Sequence, residues 1–312
     1  MTIIGAMRRG WASRSARRRF LEGLLFTSPW LVGFLLFMLY PIGASLYYSF
    51  TKYSLPKPPV WIGLDNYANL FTDKYIPKVL WNSLYLTLIG IPAQLVFALF
   101  SAELLNQRVR GLPVWRTIFV LPSLMPAVAA TLLWMWILNP KYGIVNNALA
   151  IVGIKGPLWF VSPDWSKPSI ILMQMWAVGS TTIIYLAGLQ GVPSELYESA
   201  QLDGANLWQR FTRITLPMIS AVTLFNLVTG VIWTLQFFTQ AYVASGGVTN
   251  PGAPQGSLLF YGIYLYLHAF TYIKMGYASA LAWLLFVITM LFTLVIMRGT
   301  QRWTYYDVSG RG

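Results

Sequence analysis

The sequence predicts an all-α polytopic membrane protein with six transmembrane helices, and three observations carry that expectation. Of its 312 residues, 56% are hydrophobic and only 10% charged, whereas a soluble domain carries about 25% charged residues. Six apolar stretches, 23–50, 80–102, 117–138, 169–190, 214–243 and 275–297, contain no Asp, Glu, Lys or Arg, and each reaches the roughly 20 residues that a bilayer crossing needs. The cations are also sorted by type along the chain. All fourteen arginines lie before span 1 or after spans 2, 4 and 6, and all eight lysines lie in the alternate segments.

That sorting sets an expected orientation. Arg8, Arg9, Arg14, Arg17, Arg18 and Arg19 precede the first span, and basic residues beside a span stay in the cytoplasm. Both termini are therefore expected inside, in a cytoplasmic (inner) membrane. The net charge of +13 reads as topology, and nucleic acid is not an expected partner. The apolar run after these arginines is too long for the 7–15-residue core of a signal peptide, so the first span is expected to stay uncleaved.

In order, the chain divides into a basic tail (1–22), a first span (23–50), an external loop (51–79), a five-helix domain (80–298) and a C-terminal tail (299–312). In the first loop "SLPKPP" forces extended backbone, and "WIGLDNYANLF" suits a short helix at the membrane surface. A second external loop, 139–168, again places turn residues around an aromatic segment. A third, 244–274, starts with "SGGVTNPGAPQG", whose four glycines and two prolines read as flexible. Pro41, Pro92, Pro122 and Pro126 are expected to kink their spans. No internal repeat is visible. With no cysteine, disulfides and thiolate chemistry are excluded. The single histidine, His268, is expected to be solvated or interfacial, and no metal site or catalytic triad is visible around it.

One cytoplasmic connection is long enough to fold. Pro193, expected at the first helical position, and Glu195 are helix-start chemistry, and residues 195–217, "ELYESAQLDGANLWQRFTRITLP", then reach Gly204, a C-terminal stop. Asn206 and Gln209 have capping-box spacing. Leu207, Trp208, Phe211 and Ile214 then form the apolar face of a second helix, which Pro217 ends. The product is a helix–turn–helix knob whose tip, Ser199-Ala200 and Gly204-Ala205, would let another backbone approach closely, with Glu198 and Asp203 as fixed charges beside it. By pattern alone it could equally be an amphipathic loop tethered to lipid headgroups.

Glu198-Ser199-Ala200, three residues, Gly204, nine residues, then Ile214-Thr215-Leu216-Pro217 resembles the EAA loop of binding-protein-dependent ABC importer permeases. The family pattern is Glu-Ala-Ala, x3, Gly, x9, Ile-x-Leu-Pro, and Ser199 is the one departure. "YPIGASLYYSFT", "RTIFVLPSLMPAVAATLLWMWILNPKYGIVNNAL" and "GYASALAW" resemble the sugar-type subfamily, so the likeness runs from about residue 24 to 298. It implies a type I importer permease fold with a cytoplasmic coupling helix. Glu198, Ser199, Ala200, Asp203, Gly204, Ala205, Ile214, Leu216 and Pro217 would then meet a separate ATPase. The implied partners are a second homologous permease, two ATPase subunits and an extracytoplasmic solute-binding protein, besides the lipid bilayer. The chain has no G-x-x-x-x-G-K-[ST] and no phosphate cradle. It is thus not expected to be an enzyme or to bind a cofactor, and ATP and magnesium would sit on the partner ATPase.

A solute path is expected along one stripe of span 5, Asn226, Gly230, Trp233, Thr234 and Phe237, with Gln174, Trp176 and Ser180 near mid-depth of span 4. Aromatic faces beside amides and hydroxyls suit a sugar or related polyol, although helix packing uses the same residue types. The competing class is an ion-coupled secondary transporter, which usually carries intramembrane ionisable residues. The six stretches contain none.

Overall fold

A computed structural model describes residues 14–107 and 110–300. Arg8, Arg9, Arg108, Arg302 and Arg311, with most of the expected N-terminal tail and of the C-terminal tail, lie outside the described residues. Among the described residues, three helices are long and apolar enough to cross a membrane, Arg17–Ser49, Ile76–Asn106 and Met275–Thr300. Three bent pairs raise the number to six. They are Leu112–Leu124 with Ala127–Ile137 at 99°, Pro163–Trp176 with Gly179–Gln190 at 50°, and Leu207–Met218 with Ser220–Leu235 at 65°.

The prolines act in two ways. Pro41 and Pro92 do not break their helices. Each follows a π turn, Leu35–Leu39 and Leu86–Gly90, and the wider turn absorbs the missing N–H and the ring. Pro126 does break the third span. The residue before a proline is driven out of helical backbone, and Met125 is extended at φ −71°, ψ 138°. The span expected at 117–138 is therefore two helices at nearly a right angle. The fourth span bends after Trp176, because Gly179 lies against the third. A Cβ there would stand 2.6 Å from the Phe119 carbonyl oxygen and 2.8 Å from Val120 Cα. Only glycine permits that approach.

The fifth span is shorter than the stretch 214–243 suggests. Residues up to Met218 belong to the knob, the membrane helix is Ser220–Leu235, and Thr239–Ala244 forms a separate helix against Ala127–Ile137. Outside the spans, β1 (Thr51–Lys52) and β2 (Val60–Trp61) pair as an antiparallel hairpin. The surface helix expected from "WIGLDNYANLF" is Asp65–Thr72.

The third loop departs most from its expected flexibility. Leu258 to Tyr261 are buried at the centre of the larger apolar cluster, with Val79, Leu86, Ile170 and Leu281. Polar side chains from the second span hold its backbone, and side chains from the fourth support them. Asn82 Nδ2 donates to the carbonyls of Gly256 and Leu259, each at 2.9 Å, and Asn82 Oδ1 accepts from Lys167 Nζ at 3.1 Å. Lys78 Nζ donates to the Gln255 carbonyl at 2.6 Å. Ser83 Oγ accepts from the Tyr261 N–H at 3.0 Å, and the hydroxyls of Ser166 and Ser257 meet at 2.7 Å. Backbone that leaves regular structure at membrane depth must find such partners.

Asn82 is the hub of this grip and only 2% exposed. Asn82→Ala would strip two buried carbonyls and one ammonium of their partner, at about 1–3 kcal/mol for each orphaned group. The expected result is a clear fall in the Tm of the detergent-purified chain, with little change for exposed Asn69→Ala. An unaltered Tm for Asn82→Ala would show the grip to be dispensable.

Candidate functional site

The knob is built almost as its residues dictate. Its first helix is Ser194–Leu202. Pro193 is the residue before it, not the first helical one, and Glu195 lies in the first turn. At the other end the Gly204 N–H donates to the Gln201 carbonyl at 3.1 Å and the Ala205 N–H to the Ala200 carbonyl at 2.9 Å. These two bonds form a Schellman stop, with Gly204 at φ +78°. So the small residues of the motif are the turn itself. Ala200 and Ala205 close the wider hydrogen bond, and Gly204 supplies the left-handed backbone between them.

The chain then restarts at Asn206. Asn206 Oδ1 accepts from the Gln209 N–H and Gln209 Oε1 accepts from the Asn206 N–H, both at 2.8 Å. This is the capping box that the spacing predicts. Leu207–Arg210 continues through a π turn, Phe211–Thr215, to Leu216–Met218. The helix therefore runs just past Pro217 and breaks at Ile219. A hydrogen bond of 2.9 Å between the Tyr197 and Thr215 hydroxyls ties the two helices, and Arg210 Nη1 reaches Gln201 Oε1 at 3.5 Å.

Of the four residues expected on one apolar face, Phe211 and Ile214 are half-buried, as is Leu216. Leu207 and Trp208 instead point outward, 77% and 70% exposed, beside Leu202 at 90%. Glu198, Ser199, Asp203, Gly204 and Pro217 are exposed as well. A Cβ on Gly204 would meet nothing within 4 Å in this chain. The tip thus combines a flat, small-residue turn, three outward apolar side chains and two carboxylates.

A second feature is a cavity of about 640 Å³ between spans 2, 4 and 5. Seven of the eight expected path residues line it: Gln174, Ser180, Asn226, Gly230, Trp233, Thr234 and Phe237. Trp176 does not. Its ring packs edge-on to Trp134, with centroids 5.8 Å apart, because the break that follows it turns it toward the third span. Several lining groups are also committed to packing. Thr87 donates to the Thr234 hydroxyl at 3.2 Å, and Thr234 Oγ1 donates in turn to the Gly230 carbonyl at 2.8 Å. Phe237 meets Phe260 edge-on at 5.4 Å. Trp233, 76% exposed, and Phe225, 55% exposed, are aromatics left open on the wall.

The expected path named Gln174 and Asn226 but missed three other amides, Gln94, Gln236 and Gln240. Gln94 Nε2 donates to Gln174 Oε1 at 2.8 Å, and Gln236 and Gln240 lie on the wall. Gln94 was visible as one of two amides in the apolar stretch 80–102, with Asn82. No lining residue carries a formal charge. The wall can stack on a sugar face and hydrogen-bond to its rim, with no fixed charge to hold an ion.

On the expected external face His268 corrects its expectation. It is 8% exposed, in a π turn Leu267–Thr271, with its ring 4.6, 5.2 and 4.7 Å from those of Tyr264, Tyr272 and Tyr277. Helical spacing from Tyr264 turns it inward, which its place in a connection did not reveal. Burial pushes its pKa down to about 4, Lys274 adds to the fall, and Asp73 opposes it. The Asp73 carboxyl resists its own burial. The hydroxyls of Tyr264 and Tyr277 donate to it and hold it below the usual carboxylate range.

A family model described as "Binding-protein-dependent transport system inner membrane component" matches residues 94–303. The chain is 43% identical over 303 residues to "Probable ABC transporter permease protein YesP" of Bacillus subtilis (strain 168), covering 95% of each. It is 33% identical over 281 residues to "Lactose transport system permease protein LacF" of Rhizobium radiobacter, covering 88% of this chain and 92% of that one. Among solved structures, a chain of a bacterial alginate ABC transporter in complex with an alginate pentasaccharide-bound periplasmic protein superposes with a TM-score of 0.77. The two share 26% identity, over 98% of this chain and 99% of the other.

Proposed function

The chain belongs to the family of binding-protein-dependent transport system inner membrane components, and on that premise we propose how its parts work. It is a multi-pass permease subunit of an ABC importer of the sugar type, a transport component and not an enzyme. A soluble binding protein is the partner implied by the family and by the alginate complex. Family membership sets aside the ion-coupled secondary transporter.

The carrying observation is the knob, where motif spacing, a Schellman stop and an outward apolar tip coincide. Glu198 to Ala205 seat in a cleft of a cytoplasmic ATPase subunit, and Leu202, Leu207 and Trp208 are covered there. Ile214 and Leu216, half-buried, transmit the movement of the knob to the start of the fifth span. Two ATPase subunits hold ATP and magnesium. Their closure draws this knob and that of a second, homologous permease together and opens the cavity outward. The binding protein, docked on the external loops, then releases a sugar or related polyol against Trp233 and the Gln94–Gln174 pair. Co-purification tests the joint: a tagged chain co-expressed with its cognate ATPase should retain that subunit. Normal retention after Leu207→Asp/Trp208→Asp would contradict the seating.

The same reading puts both termini in the cytoplasm and residues 244–274 on the outside. The chain has no cysteine, so single cysteines can be placed by Arg14→Cys and Thr249→Cys. An impermeant thiol reagent should label position 249 and spare position 14 in intact cells, or in spheroplasts where an outer membrane is present. Labelling of position 14 alone would invert the topology.

A further inference from the structure

The first span is longer than a bilayer needs, and its most apolar window is not buried in the chain. Arg17–Ser49 has 33 residues, about 50 Å at 1.5 Å per residue, against a hydrocarbon core of about 30 Å. Its C-terminal end is anchored. Trp283 Nε1 donates to Ser45 Oγ at 3.2 Å, and Asn66 Nδ2 donates to the Ser49 carbonyl at 2.8 Å. Arg17 and Arg18 lie about 46 Å along the helix from Ser49, the depth of the opposite headgroups in a bilayer about 40–45 Å thick.

At that end a groove of about 370 Å³ runs along one helix face, lined by Arg17, Arg18, Leu21, Glu22, Leu25 and Phe26. Guanidinium groups occupy one end and apolar side chains the other, over about 13 Å. We propose that this groove binds an anionic glycerophospholipid, its phosphate between Arg17 and Arg18 and an acyl chain along Leu21, Leu25 and Phe26.

Charge complementarity selects this occupant. Six arginines fall between residues 8 and 19, and no acid precedes Glu22. Guanidinium presents paired N–H donors that match phosphate oxygens, and an anionic leaflet attracts such juxtamembrane clusters. An apolar helix from another subunit would satisfy Leu21, Leu25 and Phe26 but would offer no anion to Arg17 and none beyond Glu22 to Arg18. Glu22 is the built-in competitor, since Arg18 Nε donates to Glu22 Oε1 at 2.8 Å.

That competition gives two variants of opposite sign. The assembled transporter, purified in detergent, would be titrated with dioleoyl phosphatidylglycerol and bound lipid counted by native mass spectrometry. Dioleoyl phosphatidylcholine serves as the neutral probe. Removing both guanidinium groups by Arg17→Gln/Arg18→Gln should weaken phosphatidylglycerol binding about 30-fold, at about fivefold for each arginine. Arg8, Arg9, Arg14 and Arg19 remain to hold the topology. Glu22→Gln should tighten it severalfold, and neither variant should alter phosphatidylcholine binding. Wild-type phosphatidylglycerol affinity in the double variant, or equal affinity of the native transporter for the two lipids, would overturn the proposal. Should the double variant fail to assemble, Glu22→Gln decides alone, and unchanged affinity there overturns it as well.

Discussion

Gly204→Asp is expected to abolish solute uptake while leaving the permease folded. The residue sits at φ +78°, where a side chain costs roughly 1–2 kcal/mol, and a Cβ there meets no atom of its own chain within 4 Å. The damage must therefore fall on whatever approaches the turn. A new carboxylate beside Asp203, pressed into a partly desolvated joint, adds like-charge repulsion of several kcal/mol. Gly204→Ala isolates the backbone strain and should be milder. Glu198→Lys reverses one charge at the same tip and should weaken the same joint. Neither position touches the cavity, so the binding protein should bind its solute normally. The expected readout is loss of the ATPase on purification, or hydrolysis that loaded binding protein no longer stimulates. A Gly204→Asp complex that keeps its ATPase and transports at the wild-type rate would remove the coupling role of the loop.

Trp233→Ala should cut uptake about two- to tenfold with assembly and basal hydrolysis intact. Truncating a packed aromatic costs about 3–5 kcal/mol in a core, but Trp233 is 76% exposed in this chain, so most of that penalty does not apply. What is lost is an aromatic face against the solute, worth about 0.5–1.5 kcal/mol. Thr234→Val makes the contrast. The Thr234 hydroxyl is spent on Gly230 and Thr87, so that change should alter stability before transport. Wild-type uptake by a well-assembled Trp233→Ala complex would make the residue a packing element.

The membrane class and the knob were legible because both rest on local rules. Six stretches without a charge, caps at Asn206 and Gly204, and fixed motif spacing each act over a few residues. What was not legible depends on distant partners. Nothing near "SGGVTNPGAPQG" says that Asn82, Lys78 and Ser83, more than 170 residues earlier, hold the segment 255–261 inside the bundle. Mid-depth position in span 4 put Trp176 on the expected path, but beside the break that follows it the ring meets Trp134 instead. Leu207 and Trp208 follow a buried-face pattern yet face outward, because the first knob helix packs through Tyr197 against Thr215 and leaves the tip uncovered.

Uptake into proteoliposomes tests the central claim most directly. The permease pair and its ATPase would be reconstituted, with ATP trapped inside, the cognate binding protein outside, and labelled solute added without any ion gradient. Accumulation should require both ATP and the binding protein, and should vanish with a non-hydrolysable ATP analogue. Accumulation driven by a proton or sodium gradient, without ATP or binding protein, would contradict it.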